Sequence, residues 1–265
     1  MRRGAATPAR RQRSLAFWML APGLLLVAYL ALPLARVLFD QPAAVLGLLG
    51  DPEVRHALGL TFLTAAAATL CGLLLAVPLG YGLARTRFRG QRLLLALVDM
   101  PLVIPHPVAG IALLLLVARD AKLGRWLAAL HLHLVGTALG IVAAMLFVAV
   151  PYLVHACRDG FRAVDIRYEE LARTLGCGRW QAFYRVALPL ARRSIVSGAV
   201  LMFARSVSEF GSLIILAYNP RVIALLIYDR FTTYGLSAAL PLAALLVLFG
   251  FAVIWVVSRL EGSPL

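Results

Sequence analysis

Six long apolar segments dominate this chain of 265 residues. Each is long enough to cross a bilayer, because an α-helix rises about 1.5 Å per residue and the hydrocarbon core is roughly 30 Å thick. Hydrophobic residues make up 62% of the chain and charged residues 14%, and its mean hydropathy is +0.88, which excludes a soluble globular protein. The sequence therefore predicts an all-α integral membrane protein with six transmembrane helices. The segments lie at about residues 15–39, 58–84, 93–118, 135–156, 194–217 and 238–257.

The rest of the chain divides into two tails around this six-span domain. We assign residues 1–14 to a basic N-terminal tail, 15–258 to the membrane domain and 259–265 to a C-terminal tail. The first apolar run is too long for the core of a signal peptide and lacks a convincing small-residue cleavage site. We therefore expect it to be a retained membrane anchor.

The distribution of basic residues predicts the orientation of the spans. If the N-terminus is cytoplasmic, 18 of the 26 basic residues fall on the cytoplasmic side. They lie in the N-terminal tail, in the second loop (85–92), in the fourth loop (157–193) and at Arg259. Cytoplasmic loops carry such an excess of Arg and Lys. We expect a multi-pass protein of the inner (plasma) membrane with both termini in the cytoplasm.

The same arginines remove the nucleic-acid interpretation of a net charge of +14, because they flank apolar spans without a recognition helix or a basic and aromatic platform. Motifs for phosphate binding, zinc binding or a serine nucleophile are absent from the sequence. The three cysteines lack metal-type spacing and are expected to be free thiols. We expect neither catalysis nor a bound metal or cofactor in this chain.

The fourth loop contains the pattern of a short helix, a turn and a second helix. Asp165 is placed to cap a helix over residues 166–175, and Gly176 supplies the left-handed turn that ends it. Apolar residues recur in this helix at three- and four-residue spacing and so share one face. They are Tyr168, Leu171, Ala172 and Leu175. We call residues 165–187 the helix-turn-helix unit.

The second helix of the unit is predicted over residues 179–187, closed by Leu188 and Pro189, with Trp180, Phe183, Tyr184 and Ala187 on one side. Two interpretations are open from the residues alone. The unit could lie on lipid headgroups as an amphipathic surface helix. Alternatively, the carboxylates of Glu169 and Glu170 adjoin a surface of small residues that could enter a groove on a partner.

The spacing in this unit resembles the coupling motif of ATP-binding cassette (ABC) importer permeases. That motif reads Glu-x-Ala-x-x-x-Gly, nine residues, an aliphatic residue, any residue and Leu-Pro. It is matched here by Glu170, Ala172, Gly176, Val186, Leu188 and Pro189. Leu171 departs from the family, which has Ala there, and Val186 replaces the commoner Ile.

The resemblance implies the fold of a type I ABC importer permease with the unit between spans four and five. It further implies that the unit docks on a cytoplasmic ABC ATPase dimer, which binds ATP and Mg and drives the change between inward-facing and outward-facing states. Glu170, with Glu169 beside it, would face the ATPase, Ala172 would permit close approach and Gly176 would make the turn. An external, periplasmic binding protein and a second permease copy, here expected to be identical, complete the family's assembly.

A second resemblance concerns the cargo. Residues 98–113 and 204–211, with 227–231 and 235–241, resemble signatures of molybdate and tungstate permeases. This implies transport of a tetrahedral oxyanion. Permeases for sulfate, thiamine and ferric iron share the architecture and remain alternatives. A proton-coupled secondary transporter is the alternative of a different class, since Asp99 and His106 are ionisable groups near the third span, but we find no internal repeat to support it.

Two charged residues fall within the predicted fifth span. Arg205 and Glu209 are one helical turn apart, and burying either alone would be costly, so we expect them to compensate each other or to pair with a neighbouring span. Either they form a structural pair, or they line or gate the path with the hydroxyls of Ser206 and Ser208. In the outer loop of residues 218–235, polar and charged side chains either receive the binding protein or cap the bundle.

Overall fold

The computed structural model describes residues 8–48 and 50–261, and within these residues it contains helices and no β-strand. The all-α fold expected from the apolar segments is confirmed. The helices are α1 (Pro8–Phe39), α2 (Pro42–Leu48), α3 (Pro52–Arg85), α4 (Gln91–Val103), α5 (His106–Val117), α6 (Lys122–Ala129), α7 (Ala138–Ala163), α8 (Ile166–Thr174), α9 (Arg179–Ala182), a π-helical turn (Phe183–Ala187), α10 (Leu188–Val207), α11 (Leu213–Leu216), α12 (Ile223–Tyr234) and α13 (Leu236–Glu261).

The two tails assigned from the sequence fall partly outside the described residues, which leave out 1–7 and 262–265. Where they are described, they are helical, because α1 already begins at Pro8 and α13 continues to Glu261. The tail boundaries at residues 14 and 259 therefore do not coincide with helix ends.

Five helical stretches in the described residues are long and apolar enough to cross a bilayer, and the number rises to six if the bent pair of α4 and α5 is one span. The third predicted span, residues 93–118, is thus not a straight helix. Its two halves meet at an angle of 115°. Ile104 has ψ of 143°, because a residue before proline avoids the helical region, and Pro105 follows with ψ of 134° as the residue that caps α5.

The fifth predicted span is also interrupted. α10 ends at Val207, and the short helix α11 begins only at Leu213. The break contains Ser208, whose hydroxyl donates to the carbonyl of Arg205 over 3.0 Å. Such a local bond offers the backbone an alternative to the next helical turn. The sequence pattern that joined residues 194–217 into one helix was wrong at this point.

The core lies where α3, α7 and α10 pack together. Small residues let these helices approach closely. A Cβ atom added at Gly80 of α3 would lie 2.5 Å from the Cβ of Cys157 on α7, and one added at Gly198 of α10 would lie 2.3 Å from the Cβ of Ala156. Close contact through small residues is typical of helices packed within a membrane.

The outward surfaces of the bundle are apolar. Leu63, Leu70 and Leu74 of α3 are 72%, 62% and 77% exposed, and the apolar stretch of α1 has no buried residue. In water such surfaces would be an aggregation hazard, whereas lipid tails solvate them. This surface supports the bilayer as the solvent.

Candidate functional site

The helix-turn-helix unit forms at one end of the bundle, and its first half matches the sequence expectation. The carboxylate of Asp165 accepts a hydrogen bond of 2.9 Å from the backbone N–H of Arg167 and so caps α8. Gly176 has φ of +95°, a conformation that side-chain-bearing residues rarely adopt. At the start of α9, the amide oxygen of Gln181 accepts a hydrogen bond of 2.9 Å from the N–H of Gly178. The cap, the first helix and the turn are confirmed.

The second half of the unit differs from the prediction, because Leu188 and Pro189 do not close its helix. α9 passes through the π-helical turn directly into α10, and the N–H of Leu188 donates to the carbonyl of Phe183, five residues back. Pro189 has no N–H and its ring would crowd the preceding turn of an ordinary α-helix. The wider π-helical turn immediately before it removes that conflict, so the second helix of the unit and the following span form one continuous helix, Arg179–Val207.

Glu169 does not lie on the surface that the sequence assigned to it. Its side chain is 6% exposed by residue area, whereas Glu170 is exposed. A guanidinium nitrogen of Arg85 lies 2.6 Å from one carboxylate oxygen, and the hydroxyl of Tyr81 donates to the other over 2.6 Å. In the single chain, Glu169 is thus paired with α3, and its contact with a partner stays a prediction. Since α8 turns about 100° per residue, adjacent glutamates must face different directions.

The remaining residues of the motif lie at different depths. Gly176 and Pro189 are exposed, and Ala172 and Leu188 are half-buried. On α8, Tyr168, Leu171 and Leu175 are 57%, 60% and 79% exposed. The predicted apolar face of this helix is thus present and uncovered in the single chain.

The aromatic residues of the second half differ in burial. Phe183 is buried with its ring centroid 4.8 Å from that of Tyr81, while Trp180 and Tyr184 are 74% and 60% exposed. Ala187 is wholly buried. The three rings are still neighbours, since the centroid of Trp180 lies 6.4 Å from that of Phe183 and 6.3 Å from that of Tyr184, so the predicted common side is present for the aromatics and only part of it is buried.

A groove of about 830 Å³ is lined by the unit and by the C-terminal half of α3. Leu73, Leu74 and Val77 form part of its apolar wall, and Arg173 and Arg179 also border it. The ion pair of Arg85 and Glu169 lies along the same groove.

A second cluster of charged side chains lies where the two interrupted spans meet. The guanidinium of Arg205 is 2.8 Å from Oε2 of Glu209, whose side chain is 1% exposed. The other oxygen of Glu209 accepts hydrogen bonds of 2.9 Å from both the N–H and the hydroxyl of Ser212. The expectation that Arg205 and Glu209 compensate each other is confirmed. Through Ser212, the carboxylate also satisfies backbone at the start of α11.

His106 completes this cluster and was not assigned to it from the sequence. Its Nε2 contacts a guanidinium nitrogen of Arg205 and lies 4.0 Å from Oε2 of Glu209. Asp99, considered together with His106 as a proton-coupling group, instead contacts His155 of α7. The Pro105-His106-Pro107 run was the available signal, since a polar residue between two prolines marks a helix break within an apolar segment.

The two breaks also fit closely at their backbones. A Cβ added at Gly211 would lie 2.6 Å from the Cβ of His106, and one added at Gly110 would lie 2.7 Å from the carbonyl oxygen of Ser212. The bend before α5 and the break before α11 are therefore in direct contact. Neither can be displaced alone without opening this packing.

The two serines of the predicted path differ in their surroundings. Ser208 is exposed, and its hydroxyl also lies 3.4 Å from a guanidinium nitrogen of Arg205. Ser206 is wholly buried, and its hydroxyl has no hydrogen-bond partner among the described residues. The structure thus brings Arg205, Ser208 and His106 together at partly exposed positions and leaves Ser206 inside the packing.

At the opposite end of the bundle from the helix-turn-helix unit, charged residues pair with one another. Arg230 of α12 lies 2.5 Å from the carboxylate of Asp51 and 3.3 Å from that of Glu53, and Arg221 lies 2.8 Å from Asp229. The hydrogen bond from Arg230 lowers the pKa of Asp51. Burial alone would lower the pKa of Arg230, but its hydrogen bonds to the two carboxylates raise it. The predicted outer loop is largely α12, and the pairs of Arg230 with Asp51 and Glu53 hold it against the start of α3.

Within the described residues, no group of histidine, cysteine, aspartate and glutamate side chains has the geometry of a metal site. Cys71, Cys157 and Cys177 are free thiols, as expected.

Comparison with known proteins places this geometry in a family. The family model described as "Binding-protein-dependent transport system inner membrane component" matches residues 72–263. The chain is 42% identical over 245 residues to the molybdate/tungstate transport system permease protein WtpB of Thermococcus kodakarensis, covering 91% of this chain and 94% of that protein. It is 33% identical over 216 residues to the sulfate transport system permease protein CysT of Escherichia coli, covering 80% and 78%.

A solved structure shares the fold. The chain matches one from a bacterial alginate ABC transporter crystallised with an alginate pentasaccharide-bound periplasmic protein, with a TM-score of 0.74 over 95% of both chains. The two sequences are 15% identical, so the likeness concerns the fold alone. The type I ABC importer permease fold expected from the motif is confirmed.

Proposed function

This chain belongs to the family of binding-protein-dependent transport system inner membrane components, and we propose that it is the permease subunit of an ATP-driven importer whose cargo is molybdate or tungstate. The assignment of this cargo rests on the 42% identity with a molybdate/tungstate permease over nearly the whole of both chains. The 33% identity with a sulfate permease keeps sulfate as the second candidate, because sulfate is a tetrahedral, doubly charged oxyanion like molybdate and tungstate.

The helix-turn-helix unit is the proposed docking element for a cytoplasmic ATPase dimer. Tyr168, Leu171 and Leu175 offer an uncovered apolar face, and Glu170 adds an exposed carboxylate beside it. A helix with such a face binds in a groove on a partner. ATP and Mg are bound by that partner, and this chain acts as a non-catalytic membrane subunit.

The proposed path for the anion passes the cluster at the two helix breaks. Arg205 is 21% exposed and His106 is 37% exposed by side-chain area, so both can be reached by a small anion. Glu209 neutralises most of the charge of Arg205 at 2.8 Å. A site with little net charge holds a divalent anion only weakly, which suits passage better than capture. Capture is left to an external binding protein.

The proposed assembly is a homodimer of this chain over two ATPase subunits in the inner membrane. Both termini lie in the cytoplasm, as the excess of arginine on that side supports. This orientation directs the helix-turn-helix unit toward the ATPase and the start of α3, with α12, toward the binding protein.

Reconstitution tests the proposal. The permease is placed in vesicles with its ATPase and its binding protein, and ATP hydrolysis and anion uptake are measured with molybdate, tungstate or sulfate outside. We expect molybdate and tungstate to stimulate both activities. Stimulation by sulfate alone, or by thiamine or ferric iron, would overturn the assignment of the cargo and leave the transporter function in place.

The same vesicles test the alternative of a different class. A proton-coupled secondary transporter would take up the anion without ATP when a pH gradient is imposed. We expect no uptake under that condition. Uptake that follows the gradient and ignores ATP would overturn the ABC permease function itself.

A further inference from the structure

Arg85 and Glu169 form a buried ion pair that joins α3 to the helix-turn-helix unit. Arg85 is the last residue of α3, and Glu169 lies in the first turn of α8. Two nitrogens of the guanidinium lie 2.6 and 2.8 Å from Oε1 of Glu169, and Tyr81 donates to Oε2 over 2.6 Å. Both carboxylate oxygens are thus occupied within the chain. We call Tyr81, Arg85 and Glu169 the Arg85 clasp.

The burial of this pair makes it sensitive to geometry. The side chains of Arg85 and Glu169 are 11% and 8% exposed. A charge removed from water is tolerated only while its partner and hydrogen bonds stay in place. Since the clasp loses its compensation if α8 moves away from α3, the two elements are held to a common movement.

The clasp reaches both halves of the unit. Arg85 also donates a hydrogen bond of 3.0 Å to the carbonyl of Val164, the residue that ends α7 before α8 begins. The ring of Tyr81 packs against Phe161 of α7 and Phe183 of the π-helical turn, with centroid distances of 5.3 and 4.8 Å. The inner end of α3 therefore contacts the first helix, the second helix and the end of α7 together.

The other end of α3 is fastened as well. Asp51 and Glu53 pair with Arg230 of α12 at the opposite end of the bundle. α3 has 34 residues and so spans about 51 Å as a continuous helix. A rigid element held at both ends carries a displacement from one to the other.

We propose that the Arg85 clasp transmits movement of the helix-turn-helix unit to α3, as a second route beside the continuous helix that leads from the unit into α10. This inference rests on the proposed docking of the unit on an ATPase. The three residues are positioning residues, because they act by holding the unit against α3 and do not touch cargo or nucleotide. The sequence motif does not include Tyr81 or Arg85.

Reversing the charge of Arg85 or Glu169, and then exchanging the two residues, tests the Arg85 clasp. In the reconstituted transporter, the anion taken up per ATP hydrolysed is measured for Arg85→Glu, for Glu169→Arg and for the double exchange. Each single reversal places like charges together, and we expect the ratio to fall at least about tenfold. The double exchange restores opposite charges and should return the ratio to within about threefold of the unaltered protein. Arg87→Glu is the matched control, because Arg87 is exposed and has no ion pair among the described residues.

Milder variants cover the case in which a reversal prevents folding. Tyr81→Phe removes one hydrogen bond from the carboxylate and keeps the ring, so we expect a fall in the ratio of about threefold. Glu169→Gln removes the charge and keeps an acceptor oxygen for only one of the two donors, Tyr81 and Arg85, so its ratio should fall further. A normal ratio in both folded variants would overturn the inference.

The remaining outcomes separate this inference from the proposed function. If Glu169 contacts the ATPase directly, Glu169→Arg loses the ATPase on co-purification, Arg85→Glu keeps it, and the exchange restores nothing. If the clasp only supports folding, the variants lower the yield of assembled transporter and leave the uptake ratio unchanged. Either result overturns the inference about the Arg85 clasp and leaves the proposed function in place. Absence of ATP-dependent uptake by the unaltered protein would overturn the proposed function and this inference with it.

Discussion

The guanidinium of Arg205 lies 2.8 Å from the carboxylate of Glu209, at the point where α10 ends within the bundle. The pair does more than neutralise two charges, because the other oxygen of Glu209 accepts hydrogen bonds from the N–H and the hydroxyl of Ser212, just before α11. His106, across the bend of the other interrupted span, contacts the same guanidinium. One ion pair thereby links two helix breaks.

Glu209→Gln should separate a gating role from a structural one. Glutamine keeps an oxygen for Ser212 but leaves the charge of Arg205 without compensation. We expect uptake to fall at least about tenfold while the variant inserts and assembles, because the barrier to the anion and the balance between states depend on that charge. Uptake is measured in vesicles and folding by thermal unfolding in detergent. Normal uptake in a normally folded variant would support the structural role.

Ser206→Ala and Ser208→Ala should differ in their effect on anion uptake. The hydroxyl of Ser206 is buried without a described partner, so its removal is expected to change the melting temperature little or to raise it, with normal uptake. Ser208 is exposed beside Arg205, and its replacement should slow uptake. The two variants are a matched pair of identical chemistry. A larger uptake defect in Ser206→Ala than in Ser208→Ala would contradict the path assigned here.

Gly211→Ala should push the two helix breaks apart. The added Cβ would lie 2.6 Å from the Cβ of His106, so one segment must shift, at a cost of about 1–3 kcal/mol in the free energy of unfolding. We expect a lower melting temperature and reduced uptake. Gly59→Ala is the control, since no atom lies within 4 Å of its added Cβ. Equal melting temperatures for the two variants would contradict the close packing.

Gly176→Val should disconnect ATP hydrolysis from uptake. The backbone at Gly176 has φ of +95°, which a β-branched residue adopts only at a cost of about 1–3 kcal/mol, so the turn must rearrange. We expect normal membrane insertion, continued ATP hydrolysis and loss of uptake. Gly178→Ala is the matched control, because Gly178 has φ of −67° and ample space. Unchanged uptake in Gly176→Val would exclude the coupling role of the unit.

Asp51→Asn should weaken the contact between α3 and α12 without removing the helix cap, since asparagine caps equally well. The hydrogen bond from Arg230 lowers the pKa of Asp51 below its usual 3.8 in the folded protein. The stability gained is therefore present above pH 3.8 and is lost as the pH falls through the lowered value.

At neutral pH we expect Asp51→Asn to cost up to about 1 kcal/mol in the free energy of unfolding, because the pair is partly exposed to solvent. The difference from the unaltered protein should disappear in acid. Melting temperatures in detergent at pH 7 and below pH 3 measure both. Asp120→Asn is the control, since Asp120 is exposed without an ion pair among the described residues. A difference that persists in acid would show that the charge of Asp51 is not the cause.

The sequence alone was sufficient where a local physical rule decides the structure. Long apolar runs require helices in lipid, because every backbone polar group must be satisfied within its own segment. Asp165 and Gly176 determined the start and end of α8, since a cap and a left-handed turn involve only neighbouring residues. The pairing of Arg205 with Glu209 was likewise local, because four residues make one helical turn.

The tertiary structure decided what depends on distant residues. The sequence analysis assigned the adjacent residues Glu169 and Glu170 to the same partner-facing surface. Only the position of α3 turned Glu169 inward to Arg85, 84 residues away, and left Glu170 exposed. Likewise, the contact of His106 with Arg205 joins residues 99 apart in the chain, across two helix breaks. A sequence sets which groups are charged and how each helix is punctuated. Which charges meet is set by packing, because the cost of burying them can be relieved only by partners that the fold brings together.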